Sequence, residues 1–78
     1  MAVRRVVFFL VPNFSMIAFA SAVEPLRLTN RTMGTTVYEW TIVSQDGEPV
    51  EASNGLKIGV DMSLDHARQR MLDEIKPR

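Results

Sequence analysis

A short segment near the start of the chain carries the residues best suited to bind a ligand. Asn13, Phe14 and Ser15 combine an amide, an aromatic ring and a hydroxyl. They follow Pro12, which ends Val3–Val11, an apolar run typical of a buried strand. Ligands of open α/β sheets bind beyond the carboxyl ends of the strands, and helix N-termini attract anions. We therefore predict that these three residues bind a ligand. The alternative that Asn13 serves only the turn and Ser15 only caps a helix stays open.

Glu24 is the fourth predicted ligand-binding residue. It lies on the charged side of the helix predicted to follow the turn. Arg27 follows three residues later, a spacing that brings two side chains together on a helix surface. A solvated ion pair is favoured over a catalytic carboxylate at this position.

No other residues form a catalytic, metal-binding or cofactor-binding pattern in the sequence. His66 is the only histidine, has no second ligand at metal spacing, and is interpreted as a surface residue. The chain has no cysteine, which excludes disulfides, cysteine zinc sites and a cysteine nucleophile within it. The turn after the first strand lacks the glycines of a phosphate-binding loop. We therefore predict no catalytic residue, no metal and no cofactor.

The composition is that of a small ordered domain or part of one. A complete doubly wound α/β domain usually needs roughly 100 residues, and this chain has 78. The hydrophobic fraction of 46% is too high for a disordered chain. Nine Lys and Arg balance nine Asp and Glu, so the net charge does not indicate a nucleic-acid partner.

The sequence predicts an α/β fold with the order strand, helix, strand, hairpin, helix. The predicted segments are a strand at Val3–Val11, a helix at Met16–Arg31, a strand at Val37–Ser44, a hairpin at Pro49–Val60 and a helix from Leu64. A strand, a helix and a strand in close succession form a βαβ unit with parallel strands and a right-handed crossover. The hairpin is predicted from Ser53-Asn54-Gly55 between two short strand candidates, since Asn and Gly both accept positive φ.

Several residues are expected to shape the two helices. Ser15 and Ser63 are predicted N-caps, Gly34 is predicted to end the first helix, and Pro25 is predicted to kink it. The predicted apolar faces are Ala18, Phe19, Ala22, Val23 and Leu26 on the first helix, and Leu64, Ala67, Met71, Leu72 and Ile75 on the second. We also expect an exposed ion pair between Arg70 and Glu74.

Residues 1–22 also fit a secretory signal peptide, with two early arginines, an uncharged stretch and Ala20-Ser21-Ala22 as a cleavage site. Pro12 and Asn13 interrupt the apolar run and make a poor membrane span. We favour the strand, turn and helix, and predict a cytoplasmic protein with no membrane partner. A small exported protein is kept as an alternative.

Two blocks of the sequence resemble the amino-terminal sensor domain of GlxA-type regulators, members of the AraC family of transcription factors. The first spans Phe9–Arg31 and includes Ala-Phe-Ala-Ser-Ala-Val-Glu-Pro-Leu-Arg. The second is Val-Glu-Ala-Ser-Asn-Gly. Between the two blocks the similarity continues through Tyr38–Ser44 and Asp46-Gly47, and it ends near Leu64. The resemblance implies that residues 1–78 are the N-terminal portion of a ThiJ/PfpI-like sensor domain, part of a flavodoxin-like, class I glutamine amidotransferase-like α/β sandwich.

The resemblance also implies a function and partners. Sensor domains of this family bind a small-molecule effector and dimerise, while a carboxy-terminal pair of helix-turn-helix motifs binds DNA. We therefore expect a homo-oligomer, an effector that is an amino-acid or quaternary-amine metabolite, and DNA binding only through a domain absent from this chain. The third parallel strand of the family is expected after residue 78.

One departure from the enzymatic relatives concerns activity. Ala18 stands where they have an acidic residue, and the cysteine nucleophile has no counterpart here. We therefore predict a non-enzymatic protein. The alternatives are a fragment of a ThiJ/PfpI-type hydrolase or amidotransferase-like enzyme, and a free-standing interaction module.

Overall fold

A three-stranded parallel sheet with the strand order β1-β2-β5 forms the centre of the molecule. The computed structural model describes residues 2–75. Its elements are β1 (Arg4–Phe9), α1 (Met16–Met33), β2 (Tyr38–Ser44), β3 (Val50–Glu51), β4 (Lys57–Ile58), β5 (Met62–Ser63) and α2 (Leu64–Ile75). The predicted α/β fold, the parallel βαβ unit and the hairpin are confirmed.

The register of β1 and β2 decides which side chains share a face of the sheet. Phe8 pairs with Ile42, and Val7 pairs with Thr41 on the opposite face, because successive strand residues point to alternate sides. α1 packs on the Phe8 side, where the rings of Phe8 and Phe19 meet edge to face with centroids 5.7 Å apart. The middle strand β2 contributes Val43, which is fully buried.

α2 covers the other face. Glu74 of α2 forms an ion pair with Arg5, which belongs to the same face as Val7. Ala67 is buried on this side and lines a cavity together with Val7 and Thr41. The two helices therefore lie on opposite faces of the sheet, the layering expected of an α/β protein.

Both ends of α1 match the predicted signals. Ser15 has extended backbone angles, and its hydroxyl accepts a hydrogen bond from the Ala18 N–H at 3.2 Å. Gly34 has φ 68°, and its N–H donates to the carbonyl of Asn30 at 3.0 Å. Pro25 lies inside the helix as predicted, and the kink expected there stays a prediction.

The predicted apolar face of α1 is correct only in part. Phe19, Val23 and Leu26 are half-buried, whereas Ala18 and Ala22 are exposed. Each alanine precedes a half-buried residue by one position and is therefore rotated about 100° away from it. The alanines consequently lie on the flank of the helix and do not bring it closer to the sheet.

The hairpin forms where predicted, around a loop of three residues. Val50 pairs with Ile58 in antiparallel orientation, and the turn is closed by a 3.0 Å hydrogen bond from the Gly55 N–H to the Ala52 carbonyl. Gly55 has φ 89°, whereas Asn54 does not have positive φ. The loop has the three residues that the sequence placed between the strands, Ser53, Asn54 and Gly55, and it needs only one left-handed position, which Gly55 supplies.

The segment before α2 forms a strand that the sequence did not predict. Met62 pairs with Val43 in parallel orientation, so a third parallel strand lies within this chain. The adjacent Ser63 caps α2 as predicted, accepting a hydrogen bond from the His66 N–H at 3.1 Å. At two residues, β5 is too short for an alternating pattern to reveal it.

α2 differs from its prediction in two respects. The expected Arg70–Glu74 ion pair is not formed, because Glu74 pairs instead with Arg5 of β1, on the face of the sheet that α2 covers. Ala67 is buried, but Met71 and Leu72 remain 55% and 47% exposed, since the narrow sheet below covers little of the helix. The side chain of Ile75, also expected on this face, lies outside the described residues.

Candidate functional site

The segment after β1 forms a tight turn at the carboxyl end of the strand, where the sequence placed the ligand site. The Phe14 N–H donates to the Val11 carbonyl at 3.1 Å, and Asn13 has φ 69°. Asparagine tolerates this left-handed conformation better than most residues do. Asn13 therefore performs the turn role that was its alternative interpretation.

The hairpin holds this turn through the backbone. The Asn13 N–H donates to the Glu51 carbonyl, and the Ser53 N–H donates to the Phe14 carbonyl, each at 2.9 Å. Phe14 also forms an isolated parallel bridge with Ala52, which is buried. The turn and the hairpin thus form one connected surface in which the Asn13 side chain remains exposed.

Phe14 contributes its ring to packing. It lies edge to face against Phe19, with centroids 5.8 Å apart and planes at 82°. Phe19 in turn contacts Phe8 of the sheet. Three rings therefore link the turn, α1 and β1, and the half-buried Phe14 ring is largely occupied by these contacts.

Ser15 and Glu24 lie far apart on α1. The Ser15 hydroxyl is engaged at the helix cap, and Glu24 follows nine residues later, about 13 Å along the helix axis. The structure therefore brings Asn13, Phe14 and Ser15 together but not Glu24. A ligand-binding role for these four residues stays a prediction.

Glu24 forms the ion pair predicted from its spacing. Its two carboxylate oxygens accept from the Nε and Nη2 of Arg27 at 3.0 and 2.6 Å. These hydrogen bonds lower the pKa of Glu24; desolvation opposes them, and the positive charge of Arg27 adds a smaller lowering effect. The hydrogen bonds with Glu24, and secondarily its negative charge, raise the pKa of Arg27. Both groups are solvent-exposed and charged at neutral pH.

A cavity of about 260 Å³ lies elsewhere, between the sheet and α2. Its charged lining residues are Arg5, Glu39, Arg70 and Glu74. Sequence analysis missed this group because its members meet only through strand pairing and the docking of α2. The available signal was a charge, Glu39, within an otherwise uncharged strand.

Residues 2–75 contain neither a candidate metal-binding cluster nor a candidate membrane span. Within that range, no group of three or more His, Cys, Asp or Glu side chains is placed to hold a metal ion. Neither α1 nor the described part of α2 has a stretch long and apolar enough to cross a membrane.

Comparison with known proteins relates the chain to transcriptional regulators. No family model matches it. The chain is 48% identical over 60 residues to the HTH-type transcriptional regulator GbdR of Pseudomonas aeruginosa, and 48% identical over 58 residues to CdhR of the same species. It is 40% identical over 57 residues to the HTH-type transcriptional regulator GlxA of Rhizobium meliloti. These matches cover 77%, 74% and 73% of the chain, but only 16%, 17% and 18% of the relatives.

Two solved structures share the fold. An AraC family transcriptional regulator from Pseudomonas putida superposes with a TM-score of 0.70 and 31% identity, over 90% of this chain and 37% of that one. A transcriptional regulator chain from Vibrio parahaemolyticus gives a TM-score of 0.66 at 14% identity, over 82% of this chain and 34% of that one. The second likeness concerns the fold alone.

Proposed function

We propose that this chain, which is homologous to a segment of the GlxA-type regulators of the AraC family, forms part of the effector-sensing domain of such a regulator. The observation that carries the proposal is the 48% identity to GbdR across 77% of the chain. The fold shared with the P. putida regulator supports it independently. We also retain the ThiJ/PfpI-like assignment of the sensor domain as part of this proposal.

DNA binding is assigned to another part of the protein. A helix-turn-helix needs two helices joined by a short turn. In residues 2–75, α1 and α2 lie on opposite faces of the sheet with four strands between them in sequence. The equal numbers of basic and acidic residues also favour a sensing role over a DNA-binding one for this segment.

Sensing is proposed to involve a small-molecule effector and a second copy of the protein, in the cytoplasm. The expected effector is an amino-acid or quaternary-amine metabolite. Self-association is supported by exposed apolar residues at the edge strand, since Val7, Phe9 and Val11 are 41%, 44% and 49% exposed. β1 pairs on one side only among the described strands, which leaves its other edge available for pairing.

The segment is further proposed to have no catalytic role. Ala18 occupies the first turn of α1 and offers only a methyl group where a carboxylate would support catalysis. His66 lies exposed in the first turn of α2, on another element of the fold. A nucleophile and its base need to lie within hydrogen-bond reach, and this arrangement does not favour such a pair.

The proposal is tested by measuring DNA binding with the natural full-length protein and with residues 1–78 alone. We expect the full-length protein to shift a DNA fragment from the region upstream of its own gene, and residues 1–78 to leave that fragment unshifted at the same concentration. Genome-wide immunoprecipitation extends the search to every chromosomal site. Absence of any DNA occupancy by the full-length protein, or equal binding by residues 1–78, contradicts the assignment.

A further inference from the structure

We propose that two copies of this protein meet at the outward face of α1, with Ile17 of each copy seated in a groove beside Leu28 of the other. The proposal rests on the self-association proposed above and gives it a surface separate from the free edge of β1. Ile17 is 80% exposed, the most exposed large apolar side chain among the described residues. A shallow groove of about 240 Å³ lies near the other end of the same helix. Each copy thus has both a protruding apolar side chain and a recess that can receive it.

The helix repeat places Ile17 and Leu28 on one stripe of α1. Eleven residues at 100° each make three turns plus about 20°, so the two side chains point the same way, about 16 Å apart along the axis. The half-buried Phe19, Val23 and Leu26 mark the opposite side of the helix, and Phe19 contacts Phe8 of the sheet. The stripe of Ile17 and Leu28 therefore faces away from the sheet.

The groove is suited to an aliphatic side chain. Its lining residues are Leu28, Thr29, Thr32 and Met33. The Thr29 hydroxyl donates to the Pro25 carbonyl at 2.8 Å, so it is already satisfied within the helix. Leu28 and Met33 are 47% and 56% exposed, and a methionine side chain adapts its shape to what it contacts. An isoleucine entering the groove would bury apolar surface on both sides of the contact.

The layered architecture indicates that further parts of the same sheet would not cover this face. A parallel sheet is extended by strands in its own plane and by helices in the two flanking layers. The matched P. putida regulator chain, of which 37% is covered, has room for such additions. They would lie beside β1, α1 and α2, whereas the stripe of Ile17 and Leu28 points outward from its layer. A partner from outside this sheet is therefore needed to cover it.

Symmetry favours a second copy as that partner. When two α1 helices lie antiparallel about a twofold axis, Ile17 of one copy meets the groove at Leu28 of the other, and the axis repeats the contact. The spacing matches because both features belong to one helix. Glu24, between them along the helix, is paired with Arg27 of its own chain, so the centre of the interface contains no uncompensated charge from either residue.

Paired cysteines test this geometry in the natural full-length protein. Ile17→Cys and Leu28→Cys proteins are mixed and oxidised, and mass spectrometry identifies the peptides joined by a disulfide. We expect a disulfide between the two introduced cysteines in the mixture and at least about tenfold less product from either variant alone. Residues of the same number would lie about 16 Å apart along the axis, beyond the roughly 7 Å that a disulfide allows between Cα atoms.

Two further variants remove the apolar contacts one at a time. Ile17→Glu and Leu28→Gln should each raise the dimer Kd of the full-length protein, measured by sedimentation, about tenfold or more. Glutamate is favourable in the first turn of a helix, so α1 should remain folded, and circular dichroism checks this. Leu72→Gln is the matched control, because Leu72 is also a helical leucine exposed to 47%, but on α2. Its Kd should stay within about twofold of the original value.

Three results would overturn the proposal. They are equal cross-linking in the mixture and in the single variants, a Kd that the α1 variants change no more than Leu72→Gln does, and a full-length protein that stays monomeric at about 100 μM. None of these measurements involves DNA, so each leaves the regulator assignment standing. Conversely, a protein that dimerises through Ile17 and Leu28 but never occupies DNA would retain this interface and lose the proposed function.

Discussion

Asn30 and Tyr38 are joined by two hydrogen bonds that fix the end of α1 to the start of β2. Asn30 Oδ1 accepts from the Tyr38 N–H, and Asn30 Nδ2 donates to the Tyr38 carbonyl, each at 2.9 Å. The same Oδ1 also accepts from the Val37 N–H at 2.8 Å. One side-chain amide therefore satisfies three backbone groups at the point where the crossover enters the sheet.

Replacement of Asn30 by alanine should destabilise the fold markedly. The change leaves three partly buried backbone groups without their partner, and we expect the free energy of unfolding to fall by about 2–3 kcal/mol. Denaturation with urea, followed by circular dichroism, measures this loss. Asn54→Ala is the control, because Asn54 accepts a single exposed hydrogen bond within its own hairpin. Equal losses in the two variants would contradict the anchoring role of Asn30.

The local features of this fold could be predicted from the sequence. Ser15, Gly34 and Ser63 were predicted as helix boundaries, and each makes its expected contacts. Such signals succeed because the interacting groups lie within a few residues of one another. The parallel βαβ unit followed from the same local patterns, since parallel strands require a crossover.

Contacts between elements that are distant in the sequence could not be predicted from it. The ion pair of Arg5 with Glu74 replaces the local pair predicted for Glu74, and it depends on how α2 docks. The hydrogen bond from the Asn13 N–H to Glu51 likewise depends on the position of the hairpin. Periodicity shows which face of an element is apolar but not which neighbouring element covers that face. The sequence therefore predicted the position of the turn at Asn13 but not the hairpin that packs against it.

Gly47 is expected to tolerate alanine less well than Gly34. Both have positive φ, which is unfavourable for a residue with a side chain. A Cβ at Gly47 would also lie 3.2 Å from the backbone nitrogen of Ser63, whereas one at Gly34 would meet open space. We expect Gly34→Ala to cost about 1 kcal/mol and Gly47→Ala about 1–2 kcal/mol more. Melting temperatures of the two variants provide the comparison. An equal decrease would show that the close approach of the new Cβ to Ser63 is relieved with no loss of stability.

Ser15 offers a way to separate helix capping from ligand binding. Ser15→Ala removes the hydroxyl that accepts from the Ala18 N–H, and should cost about 1 kcal/mol of stability. Ser15→Asp retains a capping oxygen and should stay within a few tenths of a kcal/mol of the original protein. Ser21→Ala, at an exposed position inside the same helix, controls for the loss of a hydroxyl alone. Urea denaturation of the three variants measures these costs. If the free energy of unfolding falls as much with Ser15→Asp as with Ser15→Ala, capping is ruled out as the main structural role of Ser15.

The Glu24–Arg27 pair should make a pH-dependent contribution to stability. Hydrogen bonds from Arg27 lower the pKa of Glu24 in the folded protein, so folding favours the ionised carboxylate. The contribution is therefore present above the ordinary carboxyl pKa of 4.5 and is lost as the pH falls through the lower pKa of the folded state. We expect Glu24→Gln to lower the melting temperature slightly at pH 7 and low salt. The difference should shrink as the pH falls through the lowered pKa of Glu24 and its carboxylate becomes protonated. Solvent exposure keeps the effect small. The variant and the original protein therefore need to be compared in parallel thermal denaturation scans, from pH 7 down to acidic pH. A difference that persists unchanged after Glu24 has become protonated would mean that Gln disturbs α1 through its shape, and that the ion pair does not stabilise the helix.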